Sequence, residues 1–177
     1  VILSGGDPLI LTDNKLAVLI DALSSIPHVT RLRIHSRIPV VLPSRINESF
    51  MALFHDIRLK VIMVLHSNHA NEIDDKVEQA LAALLSTGMP ILNQSVLLRD
   101  VNDSSQTLVD LNERLFDCGV LPYYLHMLDE VEGAAHFVVE ESKAREIMRE
   151  LRIKLPGYLV PRLVREQAGL PYKLPLL

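Results

Sequence analysis

Five times along the chain a short apolar run ends in polar residues and is followed by a stretch with a readable helix start. Val1-Ile2-Leu3 ends in Ser4-Gly5-Gly6-Asp7, Thr30–Ile34 in His35-Ser36-Arg37, and Leu59–Leu65 in His66-Ser67-Asn68-His69. Pro90–Leu92 ends in Asn93-Gln94-Ser95, and Pro122–Leu125 in the segment from His126 to Asp129. The interval is about 30 residues, the length of one strand-plus-helix unit. Between the strands, Asp13 is expected to cap Lys15–Ser25, Asn47 to cap Glu48–Ile57, and Asp74 to cap a helix reaching Thr87 with Gly88 beyond it. Asp103 or Ser104 opens a further helix that closes at Cys118-Gly119, and Glu140 or Glu141 begins one that stops before Pro156-Gly157. Strict alternation predicts an α/β fold of parallel strands covered by helices. In such sheets and barrels the chemistry sits at the C-terminal ends of the strands, where all these polar clusters fall.

Length and charge narrow the function classes. A chain of 177 residues, 49% of them apolar, can bury one real core and is most simply a single domain. A closed eight-unit barrel needs about 250 residues, so five units and a tail predict a partial, TIM-like barrel. The first residues already read as a strand and there is no initiating methionine, which suggests part of a longer protein. A net charge of −4 gives no electrostatic footprint for nucleic acid. One cysteine, Cys118, excludes an internal disulfide, suits a reducing compartment and reads as a packing residue at a helix end. No apolar run approaches membrane-spanning length and no signal peptide is visible, so a cytoplasmic enzyme is the expectation.

Several residues have a plain reading and a chemical one. Paired glycines before Asp7 let the backbone approach a ligand, and their N–H groups with that carboxylate can hold a zwitterion, although the same string also makes ordinary tight turns. His66 and His69 have metal-ligand character but no third partner nearby in the sequence, which favours loop packing or cofactor contact. Taken alone, Asp129 is a turn or helix-start carboxylate, Lys173 a solvated tail lysine, and Tyr123-Tyr124 core and rim packing.

Six strings carry a resemblance. Ser4-Gly5-Gly6-Asp7-Pro8-Leu9, Leu32–Pro39, His69-Ala70-Asn71-Glu72, Asn93–Arg99, Pro122-Tyr123-Tyr124 and Gly133-Ala134-Ala135-His136-Phe137 appear in the order seen in the lysine 2,3-aminomutase family of radical S-adenosylmethionine (radical SAM) enzymes. The Gly-Ala-Ala-His-Phe string and the compact tail resemble the bacterial branch that makes β-lysine for modifying elongation factor P. The resemblance implies an isomerase that moves an amino group from the α to the β carbon of lysine. It also implies three cofactors: a 4Fe-4S cluster, S-adenosylmethionine and pyridoxal phosphate. Partners implied are free lysine, elongation factor P and its lysine ligase, with no nucleic acid and no membrane.

Site roles follow by matching. Ser4, Gly5, Gly6 and Asp7 match the segment that binds the amino acid end of S-adenosylmethionine; His66, Asn93, Gln94 and Ser95 match polar strand ends lining that pocket. Lys173 matches the lysine that forms the pyridoxal phosphate Schiff base, within a tail spanning residues 156–177, although of the family's glycine-rich string only Gly169 remains. Asp129 and Glu166 match two acidic positions that hold the substrate's ε-ammonium, with glutamate at 166 where fermentative members carry aspartate. The family's Cys-x-x-x-Cys-x-x-Cys cluster motif is not in this chain and is expected upstream of Val1, so these residues alone are expected to be inactive. Two rivals remain: a Schiff-base barrel lyase or aldolase, for which Lys60 at a strand start is poorly placed, and a non-catalytic binding module of the same modification pathway.

Overall fold

The computed structural model describes residues 1–129 and 133–176. Its elements alternate along the chain: β1 (Ile2–Leu3), α1 (Asp13–Ser24), β2 (Arg31–Ser36), α2 (Ile38–Val41), α3 (Glu48–Ala52), β3 (Lys60–His66), α4 (Asp75–Ser86), β4 (Ile91–Val96), α5 (Ser105–Asp117), β5 (Val120–His126), α6 (Glu141–Lys154), β6 (Arg162–Arg165) and β7 (Leu174–Pro175). Contacts group these into two compact units, residues 1–66 with 72–92, and residues 67–71 with those from 93 on.

In the first unit β1 runs parallel to β2, Leu3 opposite Ile34, and β2 runs parallel to β3 from Arg31 opposite Lys60 to Ser36 opposite Leu65. The N–H of Met63 donates to Pro90 O at 3.1 Å, just ahead of β4. Leu32 and Ile34 from β2, Met63 and Leu65 from β3, Leu16 and Ile20 from α1, and Leu81 and Leu84 from α4 are all buried. Two arginines close the ends of this unit. Arg58 donates to the carbonyls of Ser24 and Ile26 at the C-terminus of α1, satisfying acceptors the helix leaves open. Arg45 donates to Leu9 O and Leu11 O, pairs with Asp13 at 2.6 Å and lies 4.8 Å from the centre of the Phe50 ring.

The second unit pairs β5 with β6 in parallel, Leu125 opposite Leu163, and then turns back through an antiparallel β6–β7 pair, Val164 opposite Pro175 and Arg165 opposite Leu174. Leu108, Leu111 and Leu115 of α5 and Ala144, Ile147, Met148 and Leu151 of α6 fill its core.

Most helix ends fall where the sequence places them. Asp74 accepts from the N–H groups of Lys76 and Val77, Ser104 from Thr107, and Asn47 from Phe50. Three expectations are revised. Asp13 is not a cap: Thr12 takes that position without a side-chain bond, and the Asp13 carboxylate turns to Arg45 and Ser49. The helix after Asn47 ends at Ala52 rather than Ile57, since Asp56 has a left-handed φ of 56° that a continuing helix cannot accept. Finally, β4 does not stop before Asn93 but runs through Asn93, Gln94 and Ser95.

Candidate active site

The turn after β1 is left-handed at both glycines, φ 85° at Gly5 and 52° at Gly6, a backbone only glycine adopts without strain. A Cβ built on either would meet nothing within 4 Å, and Ser4, Gly5 and Gly6 are exposed, so the turn offers its backbone to whatever approaches it. Asp7 faces the protein instead. Its Oδ1 accepts from the N–H of Leu9 at 3.0 Å and from Ser36 Oγ at 2.7 Å, and its Oδ2 from the N–H groups of Arg37 at 2.7 Å and Ile38 at 3.3 Å. Both oxygens are thus engaged within the chain, and in this structure the carboxylate shapes the turn and ties it to the end of β2. His66 is the last residue of β3 and half-buried, while His69 Nδ1 accepts from the N–H of Asn71 in its own loop.

Inside the second unit the polar residues of β4 divide by strand parity. Asn93 is 2% exposed and accepts from Ser67 N–H at 2.9 Å, while its amide donates to Ser67 O and Ser95 Oγ, both at 3.0 Å. Ser95 Oγ donates to the same Ser67 carbonyl at 2.7 Å. Asn68 Oδ1 accepts from Val96 N–H, and the Asn102 amide donates to Asn68 O and Val96 O. This network leaves Asn93 no free amide hydrogen, so both it and Ser95 fix the loop from Ser67 to Asn68. Gln94 points to the opposite, half-exposed side of the strand, because successive strand residues alternate faces. Of the three matched β4 residues, only Gln94 has a side chain on an open face.

Lys173 and Glu166 come together through the antiparallel β6–β7 pair. Arg165 lies opposite Leu174, so the next pair outward in that register is Glu166 and Lys173. Their side chains form an ion pair, and Lys173 Nζ lies 5.8 Å from the centre of the Tyr124 ring. The Lys173 ammonium, hydrogen-bonded to Glu166, holds that carboxyl below its ordinary value; partial burial opposes this, and His126 adds a smaller favourable field. Glu166, Gln167 and Leu170 form a wall shared by two clefts. One, of about 220 Å³, holds Lys173, Pro171 and Tyr172. The other, of about 920 Å³, is lined by Asp129, Arg165, Met127, Val138 and Val139 among others. Arg165 is in turn paired at 3.0 Å with Glu141 of α6. A separate cleft of about 430 Å³ beside Lys60 and Val61 lies at the N-terminal end of β3 and includes no matched residue; Lys60 is exposed there, as its place at the strand start predicts.

Sequence reasoning missed Arg165 and the proximity of Tyr124 to Lys173. The signal was faint, since β6 and β7 are only Arg-Leu-Val-Arg and Leu-Pro. An amine in a cleft beside an aromatic ring and a carboxylate fits a cofactor aldehyde, and the open glycine turn fits the end of an amino acid. An iron–sulfur cluster does not fit: among the described residues no three His, Cys, Asp or Glu gather as a metal site, and the one cysteine, Cys118, is buried.

No family model matches the chain. Among curated proteins it is 55% identical to an L-lysine 2,3-aminomutase of Escherichia coli over 99% of its own length and 52% of that protein, and 51% identical to one of Haemophilus influenzae over 98% of its length and 51% of that protein. An L-lysine 2,3-aminomutase of Clostridium subterminale is 40% identical over the whole chain and 42% of that protein. The chain therefore spans about half the length of the curated relatives it matches. Among solved structures, Streptococcus suis SuiB bound to S-adenosylmethionine superposes with a TM-score of 0.63 at 12% identity, over 96% of this chain and 40% of that one. A domain of a pyruvate-formate lyase-activating enzyme from Bacteroides vulgatus does so with a TM-score of 0.58 at 12% identity, over 94% of this chain and 98% of that one. At such identities the likeness is one of fold, and that fold is a partial βα barrel with parallel strands and outer helices.

Proposed function

This chain is similar to the lysine 2,3-aminomutases along nearly its whole length and has a radical SAM fold, and on that premise we propose that it is the part of such an enzyme that holds the amino acid end of S-adenosylmethionine and carries the pyridoxal phosphate lysine. The reaction is the 2,3-migration that turns L-α-lysine into β-lysine. The larger protein is a cytoplasmic isomerase whose product serves the modification of elongation factor P, with the cluster cysteines supplied from outside these residues.

Removing a hydrogen from an unactivated carbon is beyond any side-chain base, so the bound cofactors supply the radical and the imine on which nitrogen moves. This chain's share is placement. The exposed Ser4-Gly5-Gly6 turn receives a zwitterion on its backbone while Asp7 holds that turn against β2. His66 at the end of β3 and Gln94 on the half-exposed face of β4 offer polar groups, and Asn93 and Ser95 hold the Ser67 backbone in place. Asp129 and Glu166, on the walls of one cleft, receive the ε-ammonium, which is costly to desolvate unless paired.

One observation carries this reading: Glu166 pairs with Lys173, the residue matched to the cofactor amine, and lines the same cleft as Asp129, the other residue matched to the substrate cation. Borohydride reduction of the cofactor-loaded, full-length protein followed by peptide mapping should label Lys173. A label on Lys60 or Lys154 overturns the assignment and restores the lyase alternative.

A further inference from the structure

Glu166 stands on the wall shared by the Lys173 cleft and the Asp129 cleft. Its carboxylate is engaged by Lys173, although the two residues are assigned different ligands, a cofactor aldehyde for one and a substrate ammonium for the other. Those assignments and the observed pair exclude each other. While Lys173 is an ammonium it presents three donors and a full charge to Glu166. A substrate cation arriving beside Asp129 would then find one carboxylate already neutralised and a like charge beside it.

We propose that Glu166 is a two-position carboxylate that couples cofactor attachment to substrate binding. It is held in an ion pair by Lys173 until that nitrogen is taken up by the cofactor, and it is then released toward Asp129 to complete the cation site. The inference rests on the function proposed above. The step balances: the ammonium of Lys173 gives a proton to solvent, the free amine adds to the aldehyde carbon, water leaves, and the carbon–nitrogen double bond remains. The linked nitrogen keeps at most one hydrogen, so Glu166 loses the partner that held it. Glutamate rather than aspartate suits this part, because the longer stem can swing between partners on either side of the wall. Other charged or titratable groups around the pair are His126 and Tyr124 from β5, Arg165 from β6, held by Glu141, and Asp129 on the lining of the larger cleft.

The test uses the full-length protein without pyridoxal phosphate and reads binding rather than turnover. The pair is partly exposed, 27% at Lys173 and 55% at Glu166, so breaking it is worth about a threefold to fivefold change in affinity. By calorimetry, Lys173→Ala should bind L-lysine about threefold to fivefold more tightly than the parent, and Lys173→Ala with Glu166→Gln should lose that gain. Glu166→Gln alone should take up pyridoxal phosphate, followed by absorbance, with an affinity higher by a similar factor, and Glu166→Asp should fall between it and the parent. Equal lysine affinity in the parent and Lys173→Ala, or cofactor affinity unchanged in Glu166→Gln, overturns the two-position role. If borohydride labels Lys173 in the cofactor-loaded parent and in cofactor-loaded Glu166→Gln, only this inference fails; a label elsewhere means the function proposed above has failed.

Discussion

At the scale of single residues, what matters is where each polar group spends its hydrogen bonds. Asn93, Gln94 and Ser95 are adjacent in sequence, yet Asn93 and Ser95 are buried and satisfied by Ser67, while Gln94 is half-exposed. Asn93→Ala orphans the buried N–H of Ser67 and should cost about 1–3 kcal/mol, seen as a lower denaturation midpoint. Gln94→Ala should leave that midpoint within about 0.5 kcal/mol and instead weaken S-adenosylmethionine binding, measured by equilibrium dialysis. The reverse ranking would mean that strand parity has been misread. Asp129 is exposed on its cleft, so Asp129→Asn should raise KM for lysine by about fivefold to tenfold, less than the loss of a fully buried partner. Reductive cleavage of S-adenosylmethionine should be unchanged in that variant; parental steady-state kinetics would remove Asp129 from the cation site.

Among the elements, the start of α1 shows how a tertiary contact overrides a local signal. Asp13 looks like a cap in sequence, but Arg45 brings two carbonyl contacts and an ion pair to that corner, and Ser49 adds a hydrogen bond. The Ser49 hydroxyl, above all, holds the Asp13 carboxyl below its ordinary value; burial opposes it by less, and the Arg45 guanidinium adds to the lowering. A carboxyl depressed in the folded state stabilises the protein above its unfolded value of 3.8, and that contribution fades as the pH drops through the lower folded value. Asp13→Asn should therefore lose about 0.5–1 kcal/mol at pH 7 and almost nothing near pH 2, so the two denaturation curves converge in acid. A gap that stayed constant with pH would show that the effect is packing rather than charge. The β6–β7 pair teaches the same lesson: two strands too short to read in sequence set Glu166 opposite Lys173.

For the whole molecule, the proposed function divides the chemistry between these residues and others supplied from outside them. With Cys118 alone, and cluster binding needing three thiolates, the 177-residue chain should stay colourless after anaerobic reconstitution with iron and sulfide, whereas the full-length protein should turn brown. A stoichiometric 4Fe-4S spectrum from the isolated chain would contradict that division. The sequence by itself determined the alternation of strands and helices, most caps and the polar strand ends, because periodicity, capping residues and glycine turns are local signals written in adjacent positions. It also carried the resemblance, since strings such as Ser4–Leu9 and Gly133–Phe137 are read without any contact map. Only the tertiary structure decided that Asp7 clamps β2, that Asn93 and Ser95 face inward, that Asp13 serves Arg45, and that Glu166 holds Lys173. Each of these depends on which distant group competes for a given donor or acceptor. That competition is settled by register and packing across tens of residues, which no local pattern encodes.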